Sequence, residues 1–240
     1  MENLFFELAS ENRFTILRIL SGETLKMQAL ARRLDITATE AFRQLQRLSD
    51  VSLVQRLPDG TFTITQYGKL VFHLSTPYGF ISEHREYFLT HDIFGLPGAF
   101  LNRLGELSGA RLIEDTVESV NTSIRIFLEA EEYAWGMSER GGGPDHLDPL
   151  MEEQIQKGLE FKLMIPENQL PAAIPQIPSR SMQVKGHNNP PAIMAVSEKE
   201  AIIFFPYTNG RIDYTGFHGK NPVFHKWVKD LFLYLWDMGK

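Results

Sequence analysis

The chain has 240 residues, enough for one large or two modest domains that each bury a core, and a formal net charge of −6. It contains no cysteine, which excludes disulfides, thiolate zinc sites, iron–sulfur clusters and thiol redox sensing. Neither a signal-peptide pattern nor an apolar run long enough to span a bilayer is present, so a cytoplasmic location without membrane contact is expected.

From Phe14 to Tyr67 the order of elements is that of a winged helix-turn-helix. Phe14, Leu17, Ile19 and Leu20 supply apolar surface on a first helix, and a short helix follows around Gln28–Leu34. A tight connection at Asp35-Ile36 leads to a second helix, opened by Thr37 or Thr39 and running to about Asp50. Two antiparallel strands are expected at 53–57 and 61–65, joined across Pro58-Asp59-Gly60, an Asp-Gly turn signal. Thr37 with Glu40 three residues on has the form of a capping box.

The second helix separates two faces at the 3.6-residue period. Ala41, Leu45 and Leu48 face Leu30, Leu34 and the first helix; Thr39, Phe42, Arg43, Gln46 and Arg47 face away. The outward set suits a duplex, because Arg donates two bonds to guanine O6 and N7 and Gln pairs with the adenine edge. Candidate DNA-binding residues are therefore Thr37, Thr39, Phe42, Arg43, Gln46 and Arg47, with Arg56 on the hairpin reaching a phosphate. Residues 1–80 carry nine Lys and Arg against eight Asp and Glu, so this end is less acidic than the remainder. Limited counterion release leaves a shortfall in affinity, which a homodimer presenting two such helices to two half-sites would offset.

After the hairpin, Tyr67-Gly68 begins a helix that Pro77 is expected to end or redirect. Residues 81–107 alternate helical stretches with breaks at Gly95, Pro97 and Gly98 and read as a packed helical connector. The second half is expected to hold a helix at 115–133, a strand at 133–138, a Gly-rich break at 141–144, a helix at 145–158 and a strand at 161–165, approximating a parallel βαβ unit. A Pro-rich excursion at 170–178 precedes strands at 181–185, 192–196, 201–206 and 211–217, and an amphipathic helix at 221–238 closes the chain. The fold class is α+β: a winged helix at 1–75, a helical connector at 76–110 and an α/β sensor or effector domain at 111–240.

The winged helix together with HDIFGLPGAFLNRLGEL at 91–107, GLEFKLMIP at 158–166 and DYTGFHGKNPVFHKWVKDLFLYLW at 213–236 resembles archaeal winged-helix transcriptional regulators of the methanogenesis-regulatory, FilR-like type. The resemblance spans nearly the whole chain. Within it, TATEAFRQLQRLSDVSLVQR also looks like the ArsR-type pattern, whose positions matching Thr39, Phe42, Arg43 and Gln46 face the major groove; Phe42 departs from the small polar residue often found there. The resemblance implies a transcription factor that binds double-stranded promoter DNA as a homodimer. Its C-terminal domain, similar to phospholipase D-like or sugar-sensing-regulator domains, would sense a small molecule or receive a partner such as a sensor kinase.

Two rival classes stand beside that expectation. His218-Gly219-Lys220 matches the HxK start of a phospholipase D signature, in which His attacks phosphorus and Lys steadies the non-bridging oxygens; the Asp that completes the motif is replaced by His225, and only one copy exists. A phosphodiesterase-like enzyme with a degenerate site is thus the first rival, and a protein-interaction adaptor using the winged helix is the second. His91-Asp92, and Asp145-His146 with Asp148, read as packing and helix capping ahead of metal ligation, so no metal, cofactor or catalytic residue is assigned. Ligands of α/β domains favour the carboxyl ends of strands, here followed by 138–145, 166–167 and 187–189. Tyr133, Trp135, His146 and His187 are the candidate lining residues for a small anionic or polar effector.

Overall fold

The computed structural model describes residues 2–140, 153, 157–170 and 182–239, with side chains from Leu4 onward. It divides into two compact units, Met1–Thr76 and Pro77–Lys240.

The first unit begins with helices α1 (Glu2–Leu8), α2 (Glu11–Gly22), α3 (Met27–Leu34) and α4 (Ala38–Asp50), followed by an antiparallel hairpin of β1 (Val54–Arg56) and β2 (Phe62–Ile64). Asp35 takes the left-handed conformation, φ 52°, and turns the chain between α3 and α4. Thr37 caps α4 by accepting from the Glu40 amide at 3.1 Å; such a cap contributes about 1 kcal/mol. The Glu40 carboxylate accepts from Asn12 at 3.4 Å. Ile16, Leu17, Leu20, Leu30, Leu45, Leu48, Leu53, Val54 and Ile64 form one core.

Helix α5 (Gln66–Glu83) starts against the hairpin. Thr65 accepts from the Gly68 amide at 2.9 Å, and a Cβ on Gly68 would stand 2.1 Å from the Leu53 carbonyl oxygen. Only glycine permits that approach. Pro77 lies inside α5, where an end or a redirection was expected. Proline removes one backbone bond and crowds the preceding turn, a cost of about 3 kcal/mol, which buried packing of Phe80 further along the helix offsets. The hydroxyls of Ser75 and Thr76 donate to the carbonyls of Val71 and Phe72 at 2.7 and 3.1 Å.

The second unit is built on a seven-stranded sheet. Its strands are β3 (Arg111–Ile113), β4 (Tyr133–Met137), β5 (Glu160–Pro166), β6 (Met182–His187), β7 (Ile193–Ser197), β8 (Ala201–Phe204) and β9 (Gly216–Gly219), in the order β3-β9-β8-β7-β4-β5-β6. β4, β5 and β6 run parallel, and the other pairings are antiparallel. Helices α6 (Arg85–Thr90), α7 (Gly98–Leu101), α8 (Thr116–Leu128) and α9 (Pro222–Met238) and 3-10 turns at Leu104–Gly109 and Glu167–Gln169 join it.

Alternation along the strands builds two cores, as period-2 geometry requires. Ile193, Ala195, Ile202 and Phe204 face Ile126 of α8. Met194, Val196, Ala201 and Ile203 face the other way, toward Trp227, Val228, Leu231 and Phe232 of α9. The stretch expected as a separate connector belongs to this second core: Phe80, Tyr87, Leu96, Phe100 and Leu107 share it with α9. Asn221 caps α9 by accepting from the amides of Val223 and Phe224.

Two details depart from expectation. β3 has no counterpart among the expected strands, because three residues are too few to show a pattern. The strand expected at 211–217 begins only at Gly216, since Tyr214 is left-handed, φ 62°, and interrupts extension. The break at 141–144, and most of the helix at 145–158 and of the 170–178 excursion, lie outside the described residues.

Candidate functional site

On α4 the two faces are realised in three dimensions. Ala41, Leu45 and Leu48 are fully buried. Thr37, Thr39, Phe42, Arg43 and Gln46 are exposed on the opposite side, with Phe42 56% exposed. The Gln46 amide donates to Asp50 one turn on, at 2.8 Å. Arg56 is exposed at the end of β1, its guanidinium beside Gly60 of the turn. The turn is fixed by Asp59, which accepts from both the amide and the hydroxyl of Thr61 at 2.9 and 2.6 Å; those bonds hold its carboxyl below the usual range.

Arg47 is placed differently from the other candidates. Its Nε and Nη2 donate to the Glu7 carboxylate at 2.8–3.3 Å, and its guanidinium carbon stands 5.0 Å from the Phe6 ring centre. The hydrogen bond to Glu7 raises its pKa. Glu7 also pairs with the buried Arg13 at 2.7 Å. Arg13 donates to the Phe6 and Glu7 carbonyls at 2.9 Å each and to Gln44 Oε1 at 3.0 Å. It thereby satisfies the open carbonyls at the end of α1 and ties α1 to α4. Burial pushes the Arg13 pKa down, opposed by the neighbouring Glu7 charge. Arg47 thus braces the unit, whereas Arg43 and Gln46 lie open. α1 lies outside the stretch from which the motif is legible, and no local signal pairs Glu7 with Arg47 across 40 positions.

In the second unit the candidate lining residues separate. Tyr133 and Trp135 are buried beneath α9, with ring centres 4.4 Å apart and Trp135 stacked 5.5 Å from Phe232. Burial, followed by the charges of Glu198, Glu132 and Glu160, pushes the Tyr133 hydroxyl up to about 12. Both are core residues, because they point from β4 into the α9 interface. His146 lies outside the described residues. His187 does line a cleft of about 450 Å³ that opens past the carboxyl ends of β4, β5 and β6. Glu167, Asn188 and Asn189 join it there, with Asn188 donating to Glu167. His187 Nε2 is 2.8 Å from the Ser138 carbonyl, which can only accept, so Nε2 carries a proton; burial lowers the ring's pKa.

The remaining chemical leads are tied up in packing. His218 Nε2 is 2.7 Å from the buried Glu200, which also pairs with Arg125 and, at 3.8 Å, with Lys220. His225 Nε2 donates to the Ser197 carbonyl at 2.6 Å. His91 is buried between the rings of Tyr87 and Tyr207, 3.8 and 4.6 Å from their centres, and meets Asp213 at 3.3 Å. Among the described residues no group of three or more His, Asp or Glu side chains is placed to hold a metal ion, and no helix is long and apolar enough to cross a membrane.

Residues 1–78 match the family model of the HVO_A0261 N-terminal domain. The match takes in α1 and hence the Glu7 network. Among solved structures, TrmBL2, described as an archaeal chromatin protein with a novel mode of DNA binding, is 12% identical over 95% of this chain and 92% of its own, with a TM-score of 0.46. CalO1, a methyltransferase of calicheamicin biosynthesis, is 16% identical over 76% of this chain and 61% of its own, TM-score 0.26. RosA, a riboflavin-analogue dimethyltransferase from Streptomyces davawensis, is 12% identical over 77% and 63%, TM-score 0.29. The chain spans less than two thirds of these two methyltransferases. No curated protein matches it.

Proposed function

We propose that this chain is a sequence-specific DNA-binding transcriptional regulator, with helix 37–50 in the major groove, wing 53–65 on the backbone, and a C-terminal unit that senses a small molecule. One observation carries the reading: α4 presents Thr39, Phe42, Arg43 and Gln46 outward while Ala41, Leu45 and Leu48 are fully buried behind them. The hairpin that follows carries the exposed Arg56. A helix held from behind, with donors in front and an exposed arginine on the hairpin beside it, has the parts of a groove reader. The unit's weak charge balance fits a homodimer on two half-sites. We infer the relation to methanogenesis-regulatory proteins, and to phospholipase D-like or sugar-sensing domains, from the motifs at 91–107, 158–166 and 213–236.

The reading gives His218 a structural role and no catalytic one. Glu200 takes up the ring nitrogen that would attack phosphorus, and His225 is committed to a backbone carbonyl.

The test is a footprint on the DNA upstream of the chain's own gene at two salt concentrations. Protection of two half-sites spaced by a helical turn, lost in Arg43→Ala, supports the reading. Retention of DNA unchanged by Arg43→Ala and Gln46→Ala sinks it in favour of a protein-binding adaptor.

A further inference from the structure

We infer that two copies of this chain pair antiparallel through the outward stripe of α5, Tyr67 of each against Tyr78 of the other and Leu70 against Leu74. This rests on the homodimer part of the reading above and gives it a surface.

α5 is one continuous helix, Gln66–Glu83, and it is apolar on more than one side. Val71 and Phe80 turn inward and are buried. A surface helix with that task alone keeps its remaining face polar, and α5 does not. Tyr67, Leu70, Leu74 and Tyr78 are 47–71% exposed. Their spacings of three, four and four residues set them in a single row, because side chains three and four apart are neighbours on a helix. The acidic and basic residues of α5 are Lys69 and Glu83, and the helical period puts both on the far side from the row. Nothing charged interrupts the stripe or repels a second copy of it.

The order of the residues selects the partner. A two-fold interface is isologous, so a residue i that meets j is matched by j meeting i. Tyr, Leu, Leu, Tyr reads the same in both directions. The outer pair and the inner pair share a midpoint beside Phe72 to within about 1 Å along the helix. A parallel pair accepts any apolar order, whereas an antiparallel pair needs this symmetry. Antiparallel helix dipoles also attract where parallel ones repel. Removing the exposed parts of the four side chains from water on both copies buries about 1,000 Å², the threshold for a specific interface and the size of weak, reversible ones.

Sedimentation of the full-length chain without DNA is expected to show a dimer that dissociates reversibly over the micromolar range. Leu70→Glu with Leu74→Glu, at exposed positions and checked by an unchanged thermal melt, should weaken it by about a hundredfold or more. The chain has no cysteine, so introduced thiols report the geometry by themselves. An equimolar mixture of Tyr67→Cys and Tyr78→Cys chains should form disulfide-linked pairs on mild oxidation. Either variant alone should not, because its two thiols would stand about 16 Å apart along the pair, beyond the reach of a disulfide. The inference is overturned by a chain that sediments as a monomer throughout, by a dimer that the paired glutamates leave intact, or by Tyr67→Cys linking to itself. A monomer that still protects two half-sites on DNA loses this surface alone, and a dimer paired through α5 that holds no DNA loses the groove reader alone.

Discussion

Glu7 holds Arg47 through three hydrogen bonds of 2.8–3.3 Å, so a basic side chain on the outer helix of the winged unit faces inward to α1. The same carboxylate neutralises Arg13, whose side chain is only 8% exposed. Removing Glu7 would therefore strand a buried cation, and removing Arg47 would not. Glu7→Gln is expected to cost about 3 kcal/mol, the low end for breaking a buried pair. Arg47→Ala should cost distinctly less and leave operator affinity close to that of the parent. Hydrogen exchange of the α1 and α2 amides reads the first effect, and a binding isotherm the second.

On the open side of α4, Arg43 and Gln46 should behave otherwise. Arg43→Ala is expected to weaken the operator by about 1–3 kcal/mol and to relax preference at one base pair. Non-specific DNA should be affected much less. A fall on all sequences alike, with a shallower salt slope, would assign Arg43 to a phosphate.

Asp50 restrains Gln46 and puts a negative charge on the helix that approaches DNA. Asp50→Asn removes the charge and loosens the amide. Affinity should rise by roughly threefold, since an exposed charge in water is worth about 1 kcal/mol or less. The gain should shrink as salt rises, and an isotherm series at rising ionic strength checks it.

Much of the architecture was legible because it is local. Thr37, Asp115 and Asn221 announce their helices within three residues, and each cap is formed. The outward face of α4 follows from a period of 3.6, and the cleft's position from the rule that places ligands beyond parallel strands. What escaped was nonlocal. The Glu7, Arg13, Gln44 and Arg47 network joins residues up to 40 positions apart. Tyr133 and Trp135 look like lining residues on a strand, yet α9, nearly a hundred residues later, covers them. Pro77 reads as a stop because its cost is local, whereas the packing of Phe80 that offsets it is tertiary.

Gly68 gives a test of the junction between hairpin and helix. A methyl group there would lie 2.1 Å from the Leu53 carbonyl oxygen and 2.7 Å from Ile64. Neither can yield, because Leu53 is backbone and Ile64 belongs to the hairpin core. Gly68→Ala should cost about 3 kcal/mol or more, beyond the usual penalty of overpacking, despite alanine's better helix propensity. Limited proteolysis of the hairpin would register it. An unchanged or slower cleavage rate would mean that α5 starts elsewhere.

Glu200 ties the pH dependence of the second unit to one carboxylate. Burial alone would raise its pKa, but the hydrogen bond from His218 and the charges of Arg125, His218 and Lys220 outweigh it, so the folded value lies below the ordinary 4.5. A depressed carboxylate contributes stability above its unfolded pKa and loses it as pH falls through the folded one, because the unfolded chain then binds the proton first. Glu200→Gln should therefore lower stability by about 3 kcal/mol at neutral pH. The difference from the parent should narrow steadily as pH drops below about 4.5. Trp135, Trp227 and Trp236 all lie in this unit, so tryptophan fluorescence during urea unfolding reports on it specifically. A gap between parent and variant that stayed constant down to pH 3 would show that the pKa of Glu200 does not differ between the folded and unfolded chain, and the network around His218 would need another source of order.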